Sequence, residues 1–172
     1  MLTTSASRRA RALLANEVEH LQELEHHLEQ LDRELLAQTR QDEACQRLTG
    51  VPGIGPVIAT AMVATVGDAR LFRNGRSLAA WIGLTPKQHS SGGKELLLGI
   101  SRRGDGYLRR QLMHGARSLV KVAQGREGKL WAWINGLLAR RSFNTTVAAV
   151  ANKLARIVYA VLSRGEAYRA PA

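Results

Sequence analysis

The chain has 172 residues, 45% hydrophobic and 23% charged, with a net charge of +11, which suits one buried core plus an appendage. Its one cysteine, Cys45, excludes an intrachain disulfide and a Cys-x-x-Cys zinc site, and reads as a buried thiol. The run VIATAMVATV at residues 57–66 is too short for a membrane span, residues 147–162 are interrupted by Asn152, Lys153 and Arg156, and no apolar signal core follows Arg8, Arg9 and Arg11, so a soluble, cytoplasmic chain with no membrane partner is expected.

Charge divides the chain. Residues 1–49 hold six arginines against nine acids, a net of −3, while residues 50–172 hold nineteen Lys/Arg against five acids, a net of +14. In the acidic part Leu14, Leu21, Leu24, Leu28, Leu31 and Leu35 fall on one helical stripe at a and d positions, a coiled-coil seam of about three heptads. The seam predicts a helical arm over residues 1–47 that either joins two copies of the chain or packs on the basic part. Glu29 with Arg33 and Glu43 with Arg47 are i, i+4 pairs that support the helix weakly. His20, His26 and His27 read as solvated side chains of a charged face, not metal ligands.

A basic helical domain is expected over residues 48–172. In LTGVPGIGPVIATAMVATVG, residues 48–67, Pro52-Gly53-Ile54-Gly55-Pro56 stops one helix and starts another. Gly53 and Gly55 are able to take positive φ, Ile54 to turn inward, and Pro56 to open the next helix. The pattern resembles the helix-hairpin-helix of DNA-binding and repair proteins, in which backbone N–H groups and a helix N-terminus face a phosphate without reading sequence. A plain helical corner with Ile54, Val57 and Ala61 in the core is the alternative.

Residues 77–82 predict a short helix capped by Ser77 and ended by Gly83, with Trp81 in the core. Asp105 predicts the cap of a helix reaching about residue 123, with Leu108, Leu112, Ala116, Leu119 and Ala123 inward and Arg110, Arg117 and Lys121 on another face. Those cations either meet nucleic acid or form a solvated face. Trp131, Trp133, Ile134, Leu137 and Leu138 belong to another helix. Asn144 opens the last, with Val147, Val150, Leu154, Ile157, Val158 and Val161 inward and Lys153 and Arg156 opposite. The class is mainly α, with a strand signal only at residues 95–100. The density of cations implies a polyanionic partner whose counterions are released on binding.

Between these helices PKQHSSGGKELLLGISRRG, residues 86–104, reads as an irregular Ser/Gly loop: a flexible connection, a phosphate-holding loop, or the carrier of a serine nucleophile. The loop's neighbours GLTP and SRRGDGYLRR, the PGIG hairpin upstream and ANKLAR at residues 151–156 together resemble the C-terminal domain of transposases of the insertion-sequence 110 family, 1111-like subgroup, over residues 48–168. The resemblance implies that the second serine, Ser91, is the nucleophile that cleaves and rejoins DNA through a phosphoserine, and that Ser90 is not. Gly92 and Gly93 would let backbone approach the phosphate, and Lys94, Arg102 and Arg103 would offset charge on the pentacoordinate transition state. His89 is proposed as base only by its place two residues before Ser91.

Members of that family carry an N-terminal RuvC-like domain with four acidic metal ligands, and a structured guide RNA directs them. The resemblance therefore implies Mg2+ bound by such a domain or subunit. This chain itself is expected to hold no cofactor, since Asp68, Glu95, Asp105, Glu127 and Glu166 are scattered singly. By that reading the chain is a truncated remnant, an excised piece or a subunit, inactive alone as an enzyme. The alternative function is a non-catalytic, sequence-tolerant nucleic-acid-binding module.

Overall fold

The computed structural model describes residues 2–170 apart from Gly92 and Gly93; the side chains of residues 2–6, of Arg8 and of residues 88–98 lie outside that description. Two compact units are present, Met1–Gln38 and Thr39–Ala172. The described residues of the first all belong to α1 (Leu2–Gln41), a continuous helix. Its stripe residues Leu21, Leu24, Leu28 and Leu31 are exposed, Leu28 by 61%. His20 lies 3.9 Å from Glu23, and His26 meets Gln30, both on the solvated surface.

The second unit holds α2 (Glu43–Thr49), α3 (Pro56–Val66), a 3-10 turn (Ala69–Leu71), α4 (Gly75–Ile82), β1 (Pro86–Ser91), β2 (Lys94–Ile100), α5 (Gly106–Lys121), α6 (Lys129–Leu138) and α7 (Phe143–Arg164). α2 lies within the stretch assigned to the arm from its charge, yet its Cys45 and Leu48 are core residues of the second unit. Asp42 caps α2 by accepting the Cys45 N–H at 2.9 Å.

α7 is the central helix, packed against α2, α4, α5 and α6. It is long and apolar enough in composition to cross a membrane, but Val147, Val150, Leu154, Val158 and Val161 are its packing face and are buried inside the unit. α5 supplies the opposing stripe of Leu108, Leu112, Ala116 and Leu119, all buried, as its periodicity predicts. Asp105 caps α5 as expected, accepting the Leu108 N–H at 2.8 Å.

Several local expectations are corrected. The cap of α4 is Asn74, whose side chain accepts the Ser77 N–H, so Ser77 stands inside the first turn. Gly83 does end α4, at φ +82. Trp81 is 40% exposed and meets Phe72 edge to face at 5.5 Å instead of entering the core. Ser142, not Asn144, caps α7 by accepting the Thr145 N–H. The segment expected to be an irregular loop is an antiparallel hairpin, with Ser91 opposite Lys94, Ser90 opposite Glu95 and Pro86 opposite Ile100. Near its foot Leu98 and Gly99 span the stretch that faces Lys87 alone, an irregularity of the kind that kinks a strand.

Candidate nucleic-acid interface

Two glycines seat the PGIG turn on α5. Val51 and Ile54 donate their N–H groups to Leu48 and Val51 carbonyls, which curls the chain off α2. Ile54 then turns into the core, 4% exposed. Gly53 adopts φ +81, whereas Gly55, for which positive φ was also open, sits at φ −90, ψ 179, because it is already the extended residue that starts α3. A Cβ on Gly115 would lie 2.0 Å from the Gly53 carbonyl oxygen, so only glycine in the middle of α5 admits the turn. Sequence reasoning missed Gly115; a glycine inside an otherwise good helix is the signal that marks such a close approach.

No side chain caps α3, and Pro56 occupies its first turn. The N–H groups of Gly53 and Gly55 donate no hydrogen bond among the described residues. Two backbone donors without a partner thus lie beside the N-terminus of α3, the kind of groups that can hold a phosphate oxygen. Around it stand His114, Arg117, Ser118 and Lys121 from α5, which together with Gly53 and Gly55 line an open depression of about 540 Å³.

Arg117 belongs to three neighbouring depressions, and so joins this spot to the foot of the β-hairpin. Its guanidinium carbon lies 5.6 Å over the Phe143 ring. The middle depression adds Arg102, Arg109 and Arg110. Arg109, which sequence reasoning passed over, donates to the Ile82 carbonyl at 3.0 Å and closes the end of α4, so its role is structural. The third adds Lys153 and Arg156 from α7. Lys153 Nζ lies 4.5 Å over the Trp133 ring, which holds that ammonium in one place.

Arg102 has the one positive φ among described non-glycine residues, +57. Its N–H donates to the Gly83 carbonyl at 3.2 Å, and the Ser101 N–H to the Thr85 carbonyl at 2.7 Å, which pin the foot of the hairpin to the end of α4. A Cβ on Gly83 would lie 2.1 Å from the Arg103 carbonyl oxygen, and one on Gly104 1.8 Å from that of Trp81. Close backbone packing from both sides therefore forces the left-handed turn that places Arg102 among Arg110 and Arg117. Arg103 is exposed beside it but lines none of these depressions.

Thus Gly53, Gly55, Arg102, Arg110, Arg117, Lys121, Lys153 and Arg156 share one continuous face of the second unit, while Ile54, also expected there, is buried in the core. Ser91 ends β1 opposite Lys94, at the far end of the hairpin from Arg102. Both their side chains, and Gly92 and Gly93 entirely, lie outside the described residues. Among the described residues the ion pairs are His20–Glu23, Glu43–Arg47 and Asp68–Arg70, so none of the cations on this face is neutralised by a carboxylate. Hydrogen bonds from Arg70 hold Asp68 below the usual carboxylate range, away from this face. No three His, Cys, Asp or Glu side chains gather to hold a metal ion among the described residues.

The architecture defines a small basic α-helical domain with one β-hairpin. The family model described as Transposase IS116/IS110/IS902 family matches residues 45–131, from α2 through the hairpin and α5 into α6. A Probable family 20 transposase of Pseudomonas aeruginosa is 48% identical over 157 residues, 91% of this chain and 46% of that protein. The Transposase for insertion sequence element IS1111A of Coxiella burnetii is 46% identical over 138 residues, 80% of this chain and 38% of that protein. A Putative transposase of Sinorhizobium fredii is 43% identical over 161 residues, 93% of this chain and 42% of that protein. The chain belongs to the IS116/IS110/IS902 family of transposases, as its motifs suggest, and spans less than half the length of these relatives.

Proposed function

We propose that this chain is the serine-bearing portion of a DNA transposase: it grips DNA on the face joined by Arg117 and presents Ser91 to a phosphodiester. The observation that carries this reading is the set of unneutralised cations running from an uncapped helix N-terminus to the foot of the hairpin whose β1 ends at Ser91. In the reaction Ser91 Oγ gives up its proton and bonds to phosphorus, while the phosphorus–oxygen bond to one strand end breaks and that end leaves as a hydroxyl. Attack by a strand hydroxyl on the phosphoserine reverses these bond changes, restoring a diester and the serine. Lys94, opposite Ser91 in the hairpin, offsets charge on the transition state, whereas Arg102 and Arg103, beyond the other end of the hairpin, serve to hold the strand.

The acidic residues that hold Mg2+ belong, in this proposal, to a RuvC-like domain or subunit acting with the chain in the cytoplasm, and a structured guide RNA shares the basic surface. The exposed leucines of α1 pair with those of a second copy. A trapped-cleavage assay on nicked DNA, with a RuvC-like partner and Mg2+ supplied, tests the chemistry. Ser91→Ala is expected to abolish the covalent protein–DNA adduct and Ser90→Ala to retain it; an adduct in the Ser91 variant rejects the assignment.

A second reading, a sequence-tolerant DNA- or RNA-binding module without chemistry, draws on the same cations and needs nothing from Ser91. It predicts affinity that falls steeply with salt. Arg117→Gln is expected to weaken all sequences alike and to reduce the slope of log K against log salt by about 1. Both readings share that outcome, and only the adduct separates them.

A further inference from the structure

The depression at the hairpin foot differs from the other two. It is larger, about 880 Å³, within the range of pockets that bury a whole small ligand. Its lining is largely apolar, a floor formed by Leu84, Ile100, Met113, Trp133, Ala148 and Ala149, and Arg102, Arg117, Lys153 and Arg156 line it as well. Its walls are tied together: Asn152 on α7 donates to the Leu84 carbonyl at 3.2 Å, and the Lys153 ammonium rests on the Trp133 ring. Duplex backbone alone would leave that apolar floor uncovered, because phosphates and sugars satisfy only the cations.

We propose that this cleft receives one unpaired nucleotide of the bound strand, its base filling the apolar floor and its flanking phosphates meeting Arg117 and Lys153. The inference rests on the proposed DNA-binding face and specifies the form of substrate it takes. Charge complementarity selects the occupant: a flat apolar body that carries anions on both sides matches a base with its phosphates. Asn144 and Thr145, on the first turn of α7, supply polar groups at the cleft for the base edge. The location also has a consequence for cleavage. Ser91 is five residues from Pro86 along β1, about 17 Å at strand spacing, or about five base steps of a duplex strand. Removing a base from the stack that close to the attacked phosphodiester loosens the strand where a serine must reach it.

The test uses the full chain and three short duplexes of one sequence: fully paired, with a single unpaired thymidine, and with an abasic site in place of that thymidine. The wild-type chain is expected to bind the unpaired-thymidine duplex about tenfold more tightly than the paired one, and the abasic duplex to lose that preference although it bends as easily. Ala149→Trp, which fills the floor, is expected to erase the preference for the unpaired thymidine, so that the variant binds all three duplexes alike. Equal affinity for all three duplexes, or a preference that persists on the abasic duplex or in a folded Ala149→Trp protein, overturns the inference. The wild-type series decides the matter even where that variant fails to fold. Failure to bind paired duplex at low salt sinks the proposed binding face itself, and so is distinguishable from loss of the nucleotide preference alone.

Discussion

The leucines of α1 and those of α5 obey the same helical periodicity and meet opposite fates. Leu28 is 61% exposed, whereas Leu112 is wholly buried beneath α7. An apolar stripe therefore specifies a helix and a face, but not what covers that face. Charge separates the two regions further. The arm carries more acids than arginines and places them on a long solvated helix, while the second unit is strongly cationic and leaves the cations of one face without carboxylate partners. One region has unmatched apolar surface and the other unmatched charge.

The largest effect expected from this contrast is on stability. Leu112→Ala is expected to destabilise the second unit by about 3 kcal/mol, and Leu28→Ala to change the single chain by less than about 0.5 kcal/mol, both read from urea unfolding at low concentration. Sedimentation at high concentration would expose a role for Leu28 in pairing. If both substitutions proved equally costly in the dilute chain, the distinction between covered and uncovered stripes would fall.

Next comes Gly115→Ala, expected to cost about 2 kcal/mol and to weaken DNA binding, because a methyl group there pushes the Gly53 carbonyl away from α5. The same substitution at Gly136, where a Cβ meets nothing within 4 Å, is expected to be neutral or slightly stabilising, and serves as its control. Arg102→Gly moves stability and binding in opposite directions. Relief of the left-handed φ is expected to stabilise by about 0.5 to 1 kcal/mol in thermal melts, while loss of the cation weakens DNA binding in the same preparation. A simple structural arginine would lower both.

The smallest effect concerns Cys45, where burial, reinforced by the neighbouring Asp42 carboxylate, pushes the thiol pKa up. The folded state holds that proton to higher pH than the unfolded state does. This contribution is therefore complete below the ordinary thiol range and is lost as pH rises through it toward the raised folded value. Cys45→Ala is expected to flatten that alkaline decline in unfolding experiments, although the lost packing costs some stability at every pH.

Much of the fold was legible in local chemistry. Asp105 opens α5, Gly83 closes α4, and the inward residues of α5 and α7 follow from spacing alone. The errors have local causes too. Asn74 and Ser77 are both capping residue types three positions apart, and only the hydrogen bond from the Ser77 N–H distinguishes the cap from a first-turn residue. SSGGK reads as irregular in sequence because serine and glycine are turn-forming residue types. Its Gly-Gly step between two runs was nevertheless a hairpin signal, and β1 and β2 pair on both sides of it. Of the residues that share the Arg117 face, the sequence names the cations and the PGIG turn, while Gly115, His114 and the apolar cleft are evident only in the structure.

The sequence by itself determined the helical elements, their inward faces, the separation of charge, and a family signature in short motifs, because each depends on residues a few positions apart. Tertiary structure alone decided which stripes are covered, which glycine in α5 receives the Gly53 turn, and which cations meet around Arg117. Those outcomes depend on backbones from distant parts of the chain approaching within van der Waals contact. Periodicity names the surfaces available for such an approach, and close packing selects among them.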